Sequence, residues 1–321
     1  MQAVIIAGGK GTRLLPLTYS SPKPMLPLLE RPFLEWMVER CRRVGIADIL
    51  INVHYQSHQI EDYFQDGSGF GVKIRYIRED NPLDTAGAMK LAEPFFSGES
   101  LLVFNADILT DLDLAHLIDQ HKQSQAQATL ALTRVDDPTA FGLVEIQACD
   151  RCCPQVLAFR EKPTPEEAAQ LGIDTVNAGT YILEPDVFAQ YPAGVPLSFE
   201  RTVFPNLLTQ KNWVSAVVWE GYWQDLGTPL KYYQAHLDIL TGRMPFDLAA
   251  IAQEHAPQVW VAASAIIDPA AQITGPCYVG DNTRLGPQAK VPAGTLIGRN
   301  CAIDAPISPG FYAPGTLLVK A

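Results

Sequence analysis

Val261, Ile267, Ile273, Val279, Leu285, Val291, Ile297 and Ile303 recur at intervals of six without a miss. Four places after each stands Ala265, Ala271, Cys277, Thr283, Ala289, Thr295, Cys301 or Ile307, nearly all of them small. A hexad with one inward aliphatic residue and one small residue fits a β-helix, whose stacked coils bury a continuous apolar column. Residues 258–321 are therefore expected to form a short left-handed β-helix of hexapeptide repeats. Pro309 stands where a ninth aliphatic residue belongs, so the pattern is expected to end there, with "PGFYAPG" blunting the free end. A stack of under three coils leaves β edges open, and self-association through the tail, as a homo-oligomer, is the expected way to cover them. Acyltransferase chemistry, often hosted by such helices, is disfavoured because the last histidine, His255, precedes the hexads.

The first 240 residues follow a different grammar. "AVIIA", "DILINV", "VKIRYI", "LLVFNAD" and "ATLALTRV" are short runs rich in Val, Ile and Leu. Amphipathic stretches lie between them, such as "PFLEWMVERCRRVG", which ends on a plausible helix-terminating glycine, Gly45. This alternation predicts a Rossmann-like α/β domain over residues 1–242, with a mixed, mainly parallel sheet flanked by helices. An antiparallel pair is expected at "FGLVEI…VLAFREKP", then a strand at "VNAGTYIL" and a helix at "PLKYYQAHLDILTG". Ligands of such sheets sit beyond the carboxyl ends of the strands. The loop Gly8-Gly9-Lys10-Gly11-Thr12-Arg13 follows the first strand and Asp107 closes the fourth, so both point to one rim.

That loop is neither of two familiar phosphate loops. Counted from Gly8, a P-loop needs glycine and lysine where Arg13 and Leu14 stand, and a dinucleotide fingerprint from Gly9 needs glycine at Leu14. The net charge of −11 argues against a broad basic surface for nucleic acid or anionic membrane, but a single nucleotide needs only local cations. Lys10, Arg13 and Lys23 supply them, with no acidic residue between positions 1 and 29.

An ordered series of motifs then decides the matter: "GGKGTRLLPLT", "SPKPMLPL", "LDTAGAM", "FNADIL", "FGLVEI", "FREKP", "VNAGTYIL" and "GYWQDLGTP". With the hexad tail behind it, this series resembles the sugar-1-phosphate nucleotidylyltransferase family, and within it the mannose-1-phosphate guanylyltransferases most. The resemblance covers nearly the whole chain. It implies transfer of a nucleoside monophosphate from an NTP to a sugar 1-phosphate with loss of pyrophosphate, GTP and mannose 1-phosphate being favoured. It also implies Mg²⁺, which takes one or two carboxylates alongside phosphate oxygens, and the matching aspartates are Asp107 and Asp225, with Asp111 and Asp113 as nearby rivals.

Arg13 and Lys23, the latter held between Pro22 and Pro24, are expected to carry the catalytic positive charge. Ala7, Gly8, Gly9, Gly11, Thr12, Asp84, Thr85, Gly87 and Asn105 are expected on the nucleotide side, with Gly87 admitting the base against the backbone. Gly142, Glu161, Lys162, Asn177 and Gly179 are expected on the sugar-phosphate side, with Glu161 accepting from hydroxyls and Lys162 meeting the phosphate. One position departs from the family: Asp84 stands where its relatives carry glycine. Its carboxylate either reaches the base edge, where guanine offers two donors, or caps the following helix at Thr85.

Three rivals remain on the table. The first is the same reaction with glucose 1-phosphate and dTTP or UTP, or with a heptose 1-phosphate. The second is a glycosyltransferase using "TDLDL", against which the glycine-and-arginine loop counts. The third is a non-catalytic nucleotide-sugar-sensing subunit. Cys149, Cys152 and Cys153 lack a second ligand pair for zinc and read as reduced thiols in a hairpin loop. His54 and His58 stand four apart, but Tyr55 occupies the place of a zinc protease's glutamate. With no long apolar run and no leader pattern, a cytoplasmic location is expected.

Overall fold

The run Gln2–Ile6 buries four of its five residues, as a strand covered on both faces must. In the computed structural model, which describes residues 1–149, 153–210 and 212–319, this strand (β1) lies inside a nine-stranded sheet. Its companions are β2 (Asp48–Val53), β3 (Lys73–Arg78), β4 (Leu101–Asn105), β5 (Ala128–Arg134), β6 (Gly142–Gln147), β7 (Gln155–Glu161), β8 (Thr175–Leu183) and β9 (Val214–Trp219). Their order across the sheet is β3-β2-β1-β4-β8-β5-β9-β7-β6.

The first four strands pair in parallel, as the βαβ alternation predicts. The second half differs. β8 runs antiparallel to both β4 and β5, and β7 runs antiparallel to β6 and β9. The sheet is therefore mixed, with parallel pairing concentrated in its amino-terminal half. A single strand inserted between β4 and β5 breaks the parallel run, and the sequence of a buried strand carries no mark of its direction. The register of β8 against β5 breaks between Asn177 and Tyr181.

The helices α1 (Phe33–Arg43), α2 (Ser57–Phe64), α3 (Asp84–Ala92), α4 (Leu114–Ser124), α5 (Pro165–Leu171), α6 (Phe204–Thr209) and α7 (Pro229–Leu240) follow their sequence cues. α4 is capped by Asp113, whose side chain accepts from the His116 amide at 3.0 Å. α5 begins with a full capping box between Thr164 and Glu167. The main core lies on one face of the sheet, where Val4, Leu50, Val103 and Tyr181 stand side by side in register and cluster with Phe199 and Phe204.

Two compact units emerge. The first comprises Met1–Met25, Leu34–Ile108 and Leu112–Trp223, and the second comprises Leu26–Phe33, Leu109–Asp111 and Gln224–Ala321. The division in space thus falls at 223/224, ahead of the boundary at 242 read from sequence, because α7 packs with the tail.

Within the second unit the Tyr232 hydroxyl donates to the Pro27 carbonyl, and the Tyr233 hydroxyl to that of Gly294. The tail itself is built of parallel ladders. Val259–Val261 pairs with Cys277–Val279, which pairs with Thr295–Ile297. Ile267 pairs with Leu285 and Leu285 with Ile303, and Ile273 pairs with Val291. Residues eighteen apart are thus laid one above the other, and the hexad aliphatic residues form a buried apolar column with Cys277, Ala289 and Cys301.

The six-residue spacing ends at Pro309 as expected, but the ladders run on beyond it. Gly310–Tyr312 pairs in parallel with Thr295–Ile297, and Leu317–Val319 with Ala302–Asp304. The last turn of chain is offset by fifteen residues rather than eighteen, so its strands escape a six-residue count. "PGFYAPG" supplies a strand instead of blunting the end, and Leu317 and Val319 are left 67% and 54% exposed. No helix among the described residues is long and apolar enough to cross a membrane.

Candidate active site

β1 and β4 lie side by side in register, Ile6 opposite Asn105. Parallel neighbours end at the same rim, so the loops that follow them are forced together. At that rim of the first unit is a cavity of about 180 Å³ lined by Ala7, Gly9, Lys23, Thr85, Asn105 and Asp107, among others. Residues from four separate sequence motifs thus share one wall.

The loop after β1 turns at Gly11, which adopts φ +63° and ψ +35° at the head of a short 3₁₀ turn, Thr12–Leu14. A Cβ there would meet Lys23 and Thr18 at 3.0 and 3.1 Å, so glycine is required by both backbone and space. The Thr18 hydroxyl closes the loop by donating to the Gly11 carbonyl at 2.9 Å. Gly9 faces open space. Lys10, Thr12 and Arg13 are exposed. Lys23 is different: its ammonium is mostly buried and pairs with Asp107 Oδ2 at 2.9 Å. The loop cation and the acid that closes β4 are thereby fixed against each other.

The head of α3 forms another part of the wall. Thr85 lines the cavity, and at Gly87 the chain's own packing gives a reason for glycine. A Cβ on Gly87 would lie 2.8 Å from the Val195 carbonyl oxygen and 3.1 Å from the Leu197 nitrogen. Glycine is demanded there by the chain's own backbone, since the Ala86 and Gly87 amides both donate to the Leu197 carbonyl at 2.9 Å. Asp84 adopts φ +62°, a left-handed conformation that glycine takes with least strain. Its carboxylate is already engaged: Oδ1 accepts from the Thr85 amide at 2.8 Å, and Oδ2 from Arg201 at 2.6 Å. Both of its oxygens are thus engaged within the protein, and α3 begins without a side-chain cap.

The sugar-side residues also come together. Glu161 Oε2 lies 2.9 Å from where a Cβ on Gly142 would be, and Asn177 borders the same spot. Gly179 sits in the irregular stretch of β8 and approaches the Asn105 side chain. Lys162 is exposed, with φ +49° and its ammonium 3.7 Å from Glu161. Two groups here escaped sequence reasoning. Tyr181 and Glu200 form a part-buried network with Asn177, whose amide nitrogen donates to the Tyr181 hydroxyl at 2.6 Å and to Glu200 Oε1 at 3.2 Å. Asn105 reaches the same hydroxyl at 3.5 Å, and its Oδ1 has no hydrogen-bond partner among the described residues.

Glu79 was missed as well. It is 7% exposed, accepts from the Leu83 amide at 3.1 Å, and its Oε1 lies against Gly8. Desolvation raises its pKa above the ordinary carboxylate value, partly offset by that amide and by His54. The only hint in sequence was its place one motif ahead of "LDTAGAM". His54 sits in the loop after β2 and bonds the Glu79 carbonyl through Nδ1 at 2.7 Å.

Asp225 belongs to the second unit. It is buried, its Oδ2 accepts from Lys231 at 3.3 Å, and its Oδ1 has no partner among the described residues. An orphaned buried carboxylate oxygen is costly unless something positive meets it. Among the described residues no three His, Cys, Asp or Glu side chains gather as a preformed metal cluster. Cys149 donates its thiol to the Cys153 carbonyl at 3.2 Å, and Cys152 lies outside the described residues.

Comparison with known proteins agrees with this arrangement. Residues 2–242 match the family described as Nucleotidyl transferase. A mannose-1-phosphate guanylyltransferase of Mycobacterium tuberculosis is 35% identical over 310 residues, 95% of this chain and 83% of that protein. A UTP–glucose-1-phosphate uridylyltransferase of Synechocystis is 32% identical, over 94% of this chain and 80% of its own. Among solved structures, HddC from Yersinia pseudotuberculosis superposes with a TM-score of 0.61 at 29% identity, over 73% of this chain and 97% of that one. By sequence and by fold, the chain belongs to the nucleotidyl transferase family.

Proposed function

We propose that the protein transfers a nucleoside monophosphate from a nucleoside triphosphate to a sugar 1-phosphate, and that GTP and mannose 1-phosphate are its substrates. One observation carries the reading. The glycine loop, Lys23, the head of α3 and Asp107 line a single cavity at the carboxyl ends of two adjacent parallel strands, in a chain that matches a nucleotidyl transferase over residues 2–242. The guanylyltransferase of M. tuberculosis and similarly named plant relatives at 30–33% identity support the choice of guanine and mannose.

In this reading an oxygen of the sugar phosphate attacks the α-phosphorus, the bond to the β-phosphate breaks, and pyrophosphate leaves. The work of the protein is to hold two polyanions in line and to neutralise the leaving group. Gly8, Gly9 and Gly11 bring backbone amides to the triphosphate. Arg13, exposed at the loop tip, swings its planar fork onto the phosphates, and Lys23 adds a second, prepositioned charge. Glu161 and Asn177 hold sugar hydroxyls, and Lys162 meets the sugar phosphate. Asp107, at the cavity rim, would hold Mg²⁺; bound there, the ion would draw charge from the phosphate oxygens. The tail is a left-handed β-helix of hexapeptide repeats through which copies of the chain associate.

The test is a competition assay with the purified protein, GTP against UTP, dTTP, ATP and CTP, using mannose 1-phosphate and glucose 1-phosphate in turn. Preference for GTP with mannose 1-phosphate is expected. Preference for a pyrimidine nucleotide with glucose 1-phosphate would replace it with the second reading, which the Synechocystis relative supports.

A further inference from the structure

Residues Leu197–Arg201 are stitched to the head of α3 on one side and to β8 on the other. The Leu197 amide donates to the Leu83 carbonyl at 2.9 Å, its carbonyl accepts from Ala86 and Gly87, and the Phe199 amide donates to Thr85 Oγ1 at 3.1 Å. Arg201 reaches back to Asp84. The backbone then winds through a π-helical turn, Phe199–Val203, a rare form that turns one side chain away from the α-helical direction. Phe199 and Val203 are its buried members, and the half-buried Glu200 turns its carboxylate to Asn177 and Ser198.

We propose that Glu200 is a positioning residue that fixes the Asn177 amide on the sugar side of the site. The argument is one of donors and acceptors. An amide side chain can be rotated end for end unless its neighbours decide the matter. Asn177 Oδ1 accepts from the Gly179 amide at 2.9 Å, and a backbone N–H can only donate. Glu200 Oε1 accepts from Asn177 Nδ2, and a carboxylate can only accept. Between them the orientation is fixed, and the Asn177 oxygen keeps one lone pair for another donor.

Glu200 is itself held, since Oε2 accepts from the Ser198 hydroxyl at 3.0 Å and Oε1 lies 3.5 Å from that of Tyr181. Its burial raises its pKa, its own backbone and Ser198 pull it back, and Glu161 and Asp84 add repulsion. An acid kept in so unfavourable a place, on a segment that also braces α3, has a task beyond packing. The inference rests on the sugar-phosphate transfer reading, in which Asn177 faces the sugar.

The experiment compares full-length wild type, Glu200→Gln and Glu200→Met by steady-state kinetics, varying each substrate separately, with thermal melting of each. Wild-type turnover with any pair of substrates in the panel must come first; its absence would count against the transfer reading and not against this role. Glutamine can donate to Ser198 and still accept from Asn177, so Glu200→Gln keeps a KM for the sugar 1-phosphate within about threefold of wild type. Methionine fills the same space without an acceptor, so Glu200→Met raises that KM roughly tenfold, the scale of one buried hydrogen bond to a charged group, with the KM for the nucleotide unchanged. Equal behaviour of the two variants, parallel rises in both KM values, or failure of Glu200→Gln to fold would each overturn the positioning role.

Discussion

The cavity rim of the first unit and the ladder stack of the second are built by opposite means. In the stack, each hexad carries its own instruction, and up to the last turn of chain residues eighteen apart meet because the coils have the same length. At the rim, the partners lie far apart and share no period: Lys23 meets Asp107, Asp84 meets Arg201, and Asn177 meets Glu200. A repeat can lose one member and keep its plan. The rim has one copy of each group, so damage there falls on chemistry before it falls on stability.

The sharpest test of that contrast is a paired substitution. Arg13 is exposed, so Arg13→Ala leaves the melting temperature within a degree or so while kcat falls on the order of 10²–10³. Ile297 is fully buried in the middle of the stack, between Val279 and Tyr312. Ile297→Ala does the reverse, lowering stability by about 2–4 kcal/mol with kcat per folded molecule unchanged. Chemical denaturation and active-site-normalised kinetics on the same samples check both. A stable Ile297→Ala protein, or an Arg13→Ala protein at wild-type kcat, would erase the division of labour.

How much of this was legible beforehand follows the same line. The apolar column could be read from spacing alone, because a six-residue period projects directly onto one inward face. It failed at the single coil whose length changed, after Pro309. The first four strands were legible from their apolar runs, whereas the antiparallel insertion of β8 was not, since neighbours in a sheet are chosen by tertiary packing. At the rim, Lys23 and Asp107 were found through local motifs. Glu200 was not, because "LSFERTV" looks like an ordinary amphipathic stretch until its π turn aims the carboxylate at Asn177. Gly87 was named for the base, and its packing against the backbone of Val195–Leu197 was not legible in the sequence.

A smaller effect is expected at the open end of the stack. Leu317 and Val319 lie exposed on its last strand, and a second copy of the chain is the proposed cover. Leu317→Glu with Val319→Glu therefore shifts a homo-oligomer to monomer, measured by light scattering, without changing kcat. A wild type already monomeric at micromolar concentration would show that this end needs no partner.

The smallest effect concerns pH. His236 is fully buried, with its ring nitrogens 2.8 and 3.2 Å from the carbonyl oxygens of Tyr232 and Pro27. Burial holds its pKa below the ordinary imidazole value, against the pull of the two carbonyl oxygens toward the charged ring. The unfolded chain then takes up a proton near pH 6.5 that the folded chain refuses, so stability falls as the pH drops below that point. Melting curves from pH 7.5 to 5.5 show the loss, and His236→Gln, though less stable at pH 7.5, flattens it. An unchanged slope in the variant would assign the acid sensitivity elsewhere.

The central claim is that the rim joins a nucleotide to a sugar phosphate. Pyrophosphate release from GTP by the purified protein with Mg²⁺, measured with and without mannose 1-phosphate, tests it most directly. The account predicts release that depends on the sugar phosphate, matches the formation of GDP-mannose one for one, and runs backward when pyrophosphate is supplied. Release that is independent of the sugar phosphate, or no turnover in either direction with any nucleotide and sugar phosphate of the panel, would contradict it.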